Sequence, residues 1–95
     1  MDTDIIIPIY NAFDFTKKCI ETVIEHTDLT KHTLLLINDK STDQRILPLL
    51  NLFTTEYPSL NITIINNESN QGFVRTVNIG MQHSSRDVVL LNSDT

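Results

Sequence analysis

The chain has 95 residues, of which 40% are hydrophobic and 20% are charged, so it is long enough for one globular domain with a modest core. Its formal charge of −5, with seven scattered Lys and Arg residues, argues against nucleic acid and against a membrane surface as partners. No apolar run approaches the ~20 residues that a membrane span needs. The acidic start MDTDIIIPIYN enters its apolar run too briefly for a signal peptide, so we expect a cytoplasmic protein.

Four short apolar runs follow one another along the chain, and they are continuous rather than alternating, as is typical of strands covered on both faces of a sheet. They cover residues 5–7, 34–37, 62–65 and 88–91. The three segments between them carry apolar residues at helical spacing, and we expect each set to form a face packed on the core. The three sets are Phe15, Cys19, Ile20, Val23 and Ile24; Ile46, Leu49, Leu50 and Phe53; and Phe73, Val77 and Met81.

Pro48 lies inside the second helical segment, where a proline kinks a helix unless it occupies the first turn. We expect a short turn over residues 43–47, a helix from near Pro48 to about Tyr57, and Pro58 as the stop. The order β-α-β-α-β-α-β predicts an α/β fold with a Rossmann-like parallel sheet and right-handed crossovers. Residues 1–95 are expected to form one domain, or one piece of a domain.

Polar side chains follow every predicted strand. In open parallel sheets, ligands bind beyond the carboxyl ends of the strands, near the point where the strand order reverses. The four exits are Pro8-Ile9-Tyr10-Asn11, residues 38–43 (NDKSTD), residues 66–72 (NNESNQG) and residues 92–95 (NSDT). Each exit alone is also explained by turns and helix caps, because Asn, Asp and Ser bond to nearby backbone. A turn before a helix also suits a phosphate, since free N–H groups point outward there.

The spacing Asn92-x-Asp94 could aim two side-chain oxygens at one ion, although for this segment taken alone a turn or a helix cap is the favoured explanation. Hard oxygen ligands suit Mg²⁺ or Mn²⁺, which typically combine a few protein oxygens with substrate phosphates and water. Arg75 lies near the start of the third helix, where a cation opposes the helix dipole, so it either faces an anion or is simply solvated. No P-loop and no dinucleotide-binding glycine motif occurs.

Five segments, taken in order, resemble the N-terminal half of family 2 glycosyltransferases, which have a GT-A fold. They are IIIPIYN, CIETV, INDKSTD, NNESNQGFVRTVNIG and VVLLNSDT. The resemblance spans residues 5–95. It implies transfer of a sugar from a nucleotide-diphosphate donor to an acceptor hydroxyl of a sugar or glycan, with inversion at the anomeric carbon. It also implies a divalent cation, Mg²⁺ or Mn²⁺. At the level of the family it further suggests polysaccharide assembly and membrane association of a full-length protein.

The resemblance assigns roles to the residues at matching positions. The resemblance implies that the Tyr10 ring packs against the base and the ribose of the nucleotide. It also implies that the Asp39 carboxylate accepts a hydrogen bond from the base, typically uracil. Asn92-Ser93-Asp94 matches the D-x-D motif, so Asp94 with Asn92 is the implied metal site. The implied donor-binding residues are Pro8, Tyr10, Asn11, Asp39, Ser41, Asn70, Gly72, Arg75 and Asn92.

Two positions depart from the family's pattern. The usual Asp-Asp pair of the second motif is Asn38-Asp39, and the first Asp of D-x-D is Asn92. In the family the catalytic base lies downstream of D-x-D, so we expect no catalytic residue in this chain. We expect the chain to contain the donor-binding residues and to end before the residues that catalyse the transfer. The alternative is a non-catalytic nucleotide-binding or interaction domain derived from a glycosyltransferase, which both asparagines would suit. A phosphoacceptor signalling domain would need acids where Tyr10 and Asn11 stand.

Overall fold

The computed structural model describes residues 3–84 and 87–91, and in them four strands alternate with three helices. The elements are β1 (Thr3–Ile9), α1 (Phe13–His26), β2 (Thr33–Asn38), α2 (Ile46–Glu56), β3 (Ile62–Asn66), α3 (Phe73–His83) and β4 (Asp87–Leu90). All four predicted strands are confirmed. Runs rich in Ile, Leu and Val form strands here because such side chains suit a pleated surface covered on both sides. None of the helices in the described ranges is long and apolar enough to cross a membrane.

The strands form one parallel sheet in the order β3-β2-β1-β4. Along the chain the sheet grows from β1 through β2 to β3, and then the chain crosses back to place β4 on the other side of β1. The strand order therefore reverses between β1 and β4, which is where open parallel sheets bind ligands. The register pairs Ile9 with Asn38 and Asn38 with Asn66, so β1, β2 and β3 end level with one another.

The two faces of the sheet are covered by different helices. Ile5, Ile7 and Leu36 belong to the cluster on one face, which also contains the buried residues of α1 and α2. On the opposite face, Ile6 and Ile37 lie beneath α3. This arrangement follows from right-handed crossovers, which send consecutive β-α-β units to the same face until the direction reverses.

The buried face of α2 is the predicted one, and Pro48 stands in its first turn, where its missing N–H removes no intrahelical bond. The helix begins at Ile46, two residues before the predicted start. In α1, Ile20 and Val23 are buried as predicted, but Phe15 is 60% exposed, so its assignment to the core was wrong. The stripe is continued toward the start of α1 by Thr16, which is buried, and not by the larger Phe15.

The core assignment in α3 was wrong for two of its three residues. Val77 is buried, but Phe73 and Met81 are 50% and 48% exposed. The buried face is instead formed by Val77 with Thr76 and Gly80, all on the side facing the sheet. Small residues let the helix approach the sheet closely, and a pattern based on large apolar side chains misses such a face.

Candidate functional site

The loops that follow β1, β2 and β3 meet at the carboxyl edge of the sheet. The backbone N–H of Asp39 donates to the Ile9 carbonyl over 2.8 Å, and that of Asn67 donates to the Asn38 carbonyl over 2.9 Å. These two bonds extend the sheet ladder by one residue beyond each strand. The predicted strand exits are therefore neighbours in space, as the parallel topology requires.

The Asp39 carboxylate ties the end of β2 to the loop between β3 and α3. It is only 4% exposed. Its Oδ1 accepts from the Gln71 N–H at 2.7 Å and from the Asn67 amide at 2.9 Å, and its Oδ2 accepts from the Gly72 N–H at 2.9 Å. Asn70 adds a longer bond, from Nδ2 to the Asp39 carbonyl at 3.3 Å. The Thr76 hydroxyl also bonds to the carboxylate, so the protein supplies four donors, about as many as an ionised carboxylate accepts.

The acidity of Asp39 reflects this loop anchor. Burial raises the pKa of Asp39, but hydrogen bonds from the Gln71 N–H, the Asn67 amide, the Gly72 N–H and the Thr76 hydroxyl together outweigh it. The pKa of Asp39 therefore lies below its ordinary value, because the charged form accepts more bonds than burial takes away. Asp39 is ionised at neutral pH and holds the loop as an anion.

Acid is expected to loosen this anchor. Because folding lowers the pKa of Asp39, its contribution to stability is fully present above the ordinary value of 3.8 and is lost as pH falls through the lower folded value. The urea midpoint of the protein should therefore fall below about pH 4, and part of this fall should disappear in Asp39→Asn. The partner Arg45 lowers the pKa of Asp43 to about 2, so Asp43 contributes to the loss of stability over the same pH range. Asp43→Asn is therefore the matched comparison.

A direct titration separates the two carboxylates. Carbon-detected NMR of the Asp39 carboxyl group in the folded protein should give a pKa below 3.8. An Asp39 carboxyl that titrates at or above that value would contradict the anchor.

Gly72 stands where the loop enters α3, with φ 83° and ψ 166°. A Cβ at this position would meet nothing within 4 Å, so the glycine is needed for its backbone conformation and not for space. That region of φ and ψ is essentially restricted to glycine. The conformation turns the Gly72 N–H toward Asp39 as the helix begins.

Asn11 joins the loop after β1 to the loop after β2. Its backbone N–H donates to Ser41 Oγ at 3.0 Å, its Nδ2 donates to Thr42 Oγ1 at 3.0 Å, and its Oδ1 accepts from the Asp43 N–H at 2.9 Å. Ser41 also lines a half-open cleft of about 550 Å³ between α2 and the ends of β2 and β3. Asn11, Ser41, Asp39, Asn70 and Gly72, all predicted from sequence, thus lie in two hydrogen-bonded clusters at one edge.

Three other predicted residues lie beside these clusters. Pro8 is buried in β1 opposite Ile37. Tyr10 is 48% exposed at the end of β1, so its ring has a free surface. Arg75 occupies the first turn of α3, is exposed, and has no hydrogen bond or ion pair to the rest of the described chain. An exposed ring and an unpaired cation are therefore both present at this edge of the sheet.

Asn38, one of the two departures from the pattern that the resemblance implies, is bonded within the protein. Its Nδ2 donates to Asn66 Oδ1 at 3.2 Å, and its Oδ1 accepts from the Ser41 N–H at 3.0 Å. Asn38 is buried, and its amide can both donate to Asn66 and accept from Ser41. A carboxylate at this position could accept but could not donate to Asn66. Asn38 thus orients the β2–α2 loop.

Sequence reasoning missed Asn67 and Thr76. The Asn67 amide donates both to Asp39 Oδ1 and to the Thr76 hydroxyl, the latter over 3.2 Å. Thr76 is fully buried on α3, so this bridge joins the helix to the Asp39 anchor. The only signal in the sequence was that Asn67 falls in a strand exit.

The implied metal residues, Asn92 and Asp94, lie outside the described residues. The description ends at Leu91, whose N–H donates to the Ile6 carbonyl at 2.9 Å and so continues the β1–β4 ladder. Within residues 3–84 and 87–91, no group of three or more His, Cys, Asp and Glu side chains could hold a metal ion. His32 has a structural contact, since its Nδ1 accepts from the Thr3 N–H at 3.0 Å.

Comparisons with known proteins agree with this geometry. Residues 4–94 match the model of the family described as glycosyl transferase family 2. The uncharacterized glycosyltransferase YwdF of Bacillus subtilis (strain 168) is 30% identical over 94 residues, which are 99% of this chain and 32% of the relative. The chain thus spans about a third of that relative's length.

Two solved structures share the fold at low sequence identity. The mannosyltransferase PcManGT of Pyrobaculum calidifontis, solved with GDP-Man and Mn²⁺, has a TM-score of 0.87 at 19% identity over 97% of this chain and 27% of its own. GalNAc-T7, solved with UDP, GalNAc and Mn²⁺, has a TM-score of 0.83 at 18% identity over 98% of this chain and 18% of its own. With its parallel sheet and alternating βα units, the chain has the GT-A fold and belongs to glycosyl transferase family 2.

Proposed function

We propose that this chain is the donor-binding part of a glycosyltransferase that transfers a sugar from a nucleotide diphosphate to an acceptor hydroxyl with inversion. The observation that carries the proposal is the convergence of three loops on the carboxyl edge of the sheet. Within it, the exposed Tyr10 ring, the Asp39 carboxylate and the unpaired Arg75 cation lie on adjoining segments. A flat ring, a hydrogen-bond acceptor and a cation are the groups that a base, its polar edge and a diphosphate require.

The helix N-termini support diphosphate binding at this edge. Each helix begins just after the carboxyl end of its preceding strand, and α1, α2 and α3 all lack a side-chain cap at the N-cap position. In α2 the Arg45 and Ile46 N–H groups already donate to Asp43 and Pro48 has no N–H, so it is α1 and α3 that offer the positive end of a helix dipole to an anion. Such termini favour an anion, and they offset the acidic balance of the chain locally.

A divalent cation, Mg²⁺ or Mn²⁺, fits the donor set that follows β4. Asp94 and Asn92 offer a carboxylate and a carbonyl oxygen, both hard ligands, and the described residues provide no competing cluster. We propose that Asp94 holds the cation and that Asn92 assists it or bonds the ribose. When bound, the cation would supply charge neutralisation on the leaving diphosphate.

Inversion requires the acceptor oxygen to attack the anomeric carbon opposite the leaving diphosphate while a base removes its proton. We assign no residue of this chain to that base. The residues assigned here hold the donor: Tyr10 against the ring of the base, Asp39 toward its polar edge, and Arg75 toward the diphosphate. We expect the acceptor and the sugar to be bound by other parts of such an enzyme.

Fluorine NMR of the tyrosines tests the proposal. The chain has two tyrosines, so 3-fluorotyrosine labelling gives one signal for Tyr10 and one for Tyr57. Tyr57 follows the C-terminal end of α2, at the opposite edge of the sheet, and serves as an internal control. With Mg²⁺ present, which unlike Mn²⁺ is diamagnetic and does not broaden the signals, UDP or GDP at up to millimolar concentration should shift the Tyr10 signal and leave that of Tyr57 unchanged.

Two comparisons sharpen this titration. Asp94→Ala should weaken the nucleotide response in the presence of Mg²⁺ by at least about tenfold, because the cation loses its one proposed carboxylate ligand. The ratio between UDP and GDP reports which base the site prefers. A folded protein whose Tyr10 signal ignores both nucleotides would refute donor binding, and nucleotide binding without sugar transfer by the complete protein would favour the non-catalytic alternative.

A further inference from the structure

Every polar group of Asn11 is hydrogen-bonded within the protein. Besides its three bonds to residues 41–43, its carbonyl accepts from the hydroxyl of Thr16, which is fully buried in α1, at 3.1 Å. Its side chain is therefore held at both ends, with Oδ1 on the Asp43 N–H and Nδ2 on Thr42 Oγ1. An Asn11 that turned to contact a ligand would have to break these bonds first.

The backbone of Asn11 explains why asparagine stands here. Its φ is 56°, in the left-handed region that asparagine tolerates better than most residues. Glycine would adopt the same backbone without strain, but it has no side chain to reach Thr42 and Asp43. The position therefore needs both the unusual φ and a side chain with one donor and one acceptor.

The partners of Asn11 are 30–32 residues away in sequence, on the loop that carries Asp39. Tyr10 is the residue before Asn11. The bonds thus fix the distance between the segment that presents an aromatic ring and the segment that presents the carboxylate. Holding two recognition groups in place before a ligand arrives lowers the entropy that binding must otherwise remove.

We propose that Asn11 is a positioning residue, which sets nucleotide affinity by holding Tyr10 opposite the Asp39 loop without touching the nucleotide itself. This inference rests on the proposed donor-binding function. It assigns Asn11 a different part from the contact that the family resemblance implies. Thr42, an exposed residue with no assigned ligand contact, becomes its structural partner.

A double-mutant cycle on Asn11 and Thr42 tests the proposal. Asn11→Gly keeps the backbone conformation and removes the side chain, and Thr42→Val removes only the hydroxyl that accepts from Nδ2. Affinity for UDP or GDP with Mg²⁺ is read from the Tyr10 fluorine signal. We expect losses of about tenfold for Asn11→Gly, which breaks two side-chain bonds, and about threefold for Thr42→Val, which breaks one, since a bond worth about 0.7 kcal/mol corresponds to about threefold in affinity.

The double variant should lose about tenfold and not the roughly thirtyfold of two independent effects, because both changes break one linkage. Thr42→Ser keeps the hydroxyl and should restore the affinity of the unchanged protein. Thr22→Val is the matched control, because the Thr22 hydroxyl donates only to the Lys18 carbonyl within α1. It should leave the affinity unchanged.

The outcomes separate this inference from the proposed function. If the unchanged protein binds nucleotide but Thr42→Val has no effect, or if the two effects simply multiply, Asn11 acts by direct contact and the positioning role is wrong. If the unchanged protein does not respond to nucleotide at all, donor binding is refuted and the positioning role falls with it. Hydrogen exchange gives a ligand-free check, since Asn11→Gly should speed exchange of the Asp43 amide, which has lost its acceptor.

Discussion

Replacing Asp39 with alanine is expected to destabilise the fold by about 3 kcal/mol, because four donors lose a charged and buried acceptor. Two of them are the backbone N–H groups of Gln71 and Gly72, and the other two are the Asn67 amide and the Thr76 hydroxyl. No other side chain in the described part of the chain is bonded to both backbone groups. The measurement is the free energy of unfolding in urea at neutral pH, where the carboxylate is ionised.

Asp39→Asn distinguishes the role of charge from that of shape. The amide oxygen can still accept from Gln71 and Asn67, but the amide nitrogen would then face the Gly72 N–H, donor against donor. We expect about half of the loss seen with alanine. Asp28→Ala is the matched control, because that exposed carboxylate bonds only to Thr30 in its own turn. An equal change in stability for Asp28→Ala and Asp39→Ala would show that no anchor exists.

The anchor also has a consequence for the ligand. Loss of Asp39 frees the loop that carries Asn70 and sets the start of α3, where Arg75 stands. The nucleotide response should therefore disappear in Asp39→Ala through loop displacement as well as through loss of the proposed bond to the base. Asp39 is thus a structural anchor of the loop as well as the proposed contact to the base.

Much of this fold was predictable because its signals are local. The continuous apolar runs predicted all four strands, and the set Ile46, Leu49, Leu50 and Phe53 predicted the buried face of α2 without error. The parallel arrangement followed from the alternation of elements and the known hand of crossovers. The same topology predicted that polar residues from three strand exits would meet at one edge.

The parts that sequence reasoning missed depend on partners far away in the chain. Asn11 reads as a turn residue until its bonds to residues 41–43 are known. Asp39 was expected to serve the base, and nothing local to residue 39 indicates that Gln71 and Gly72 donate to it. The core errors at Phe15, Phe73 and Met81 have a related cause, because a helix turns its small residues inward wherever the sheet lies close.

Gly80 is the clearest case of such a close approach, and Gly80→Ala is expected to destabilise the fold by about 2 kcal/mol. A Cβ there would lie 2.6 Å from Ile37 Cδ1 and 3.0 Å from two side-chain atoms of Ile6, and both isoleucines are fully buried. Overpacking of this kind costs about 3 kcal/mol at the upper end of its usual range, and alanine returns about 1 kcal/mol through its better helix propensity. Urea unfolding measures the net loss.

A second substitution identifies the atoms responsible. Ile37→Val removes the Cδ1 atom that the new methyl group would meet, so Gly80→Ala should cost clearly less in that background, with a coupling of about 1 kcal/mol. Asn78→Ala, at an exposed position of the same helix, should be neutral or slightly stabilising. Additive effects of Gly80→Ala and Ile37→Val would mean that α3 does not lie this close to β2. The close approach of α3 to the sheet also brings Thr76 within reach of Asn67, and this contact completes the Asp39 anchor. Additive effects would therefore contradict this explanation of the anchor as well.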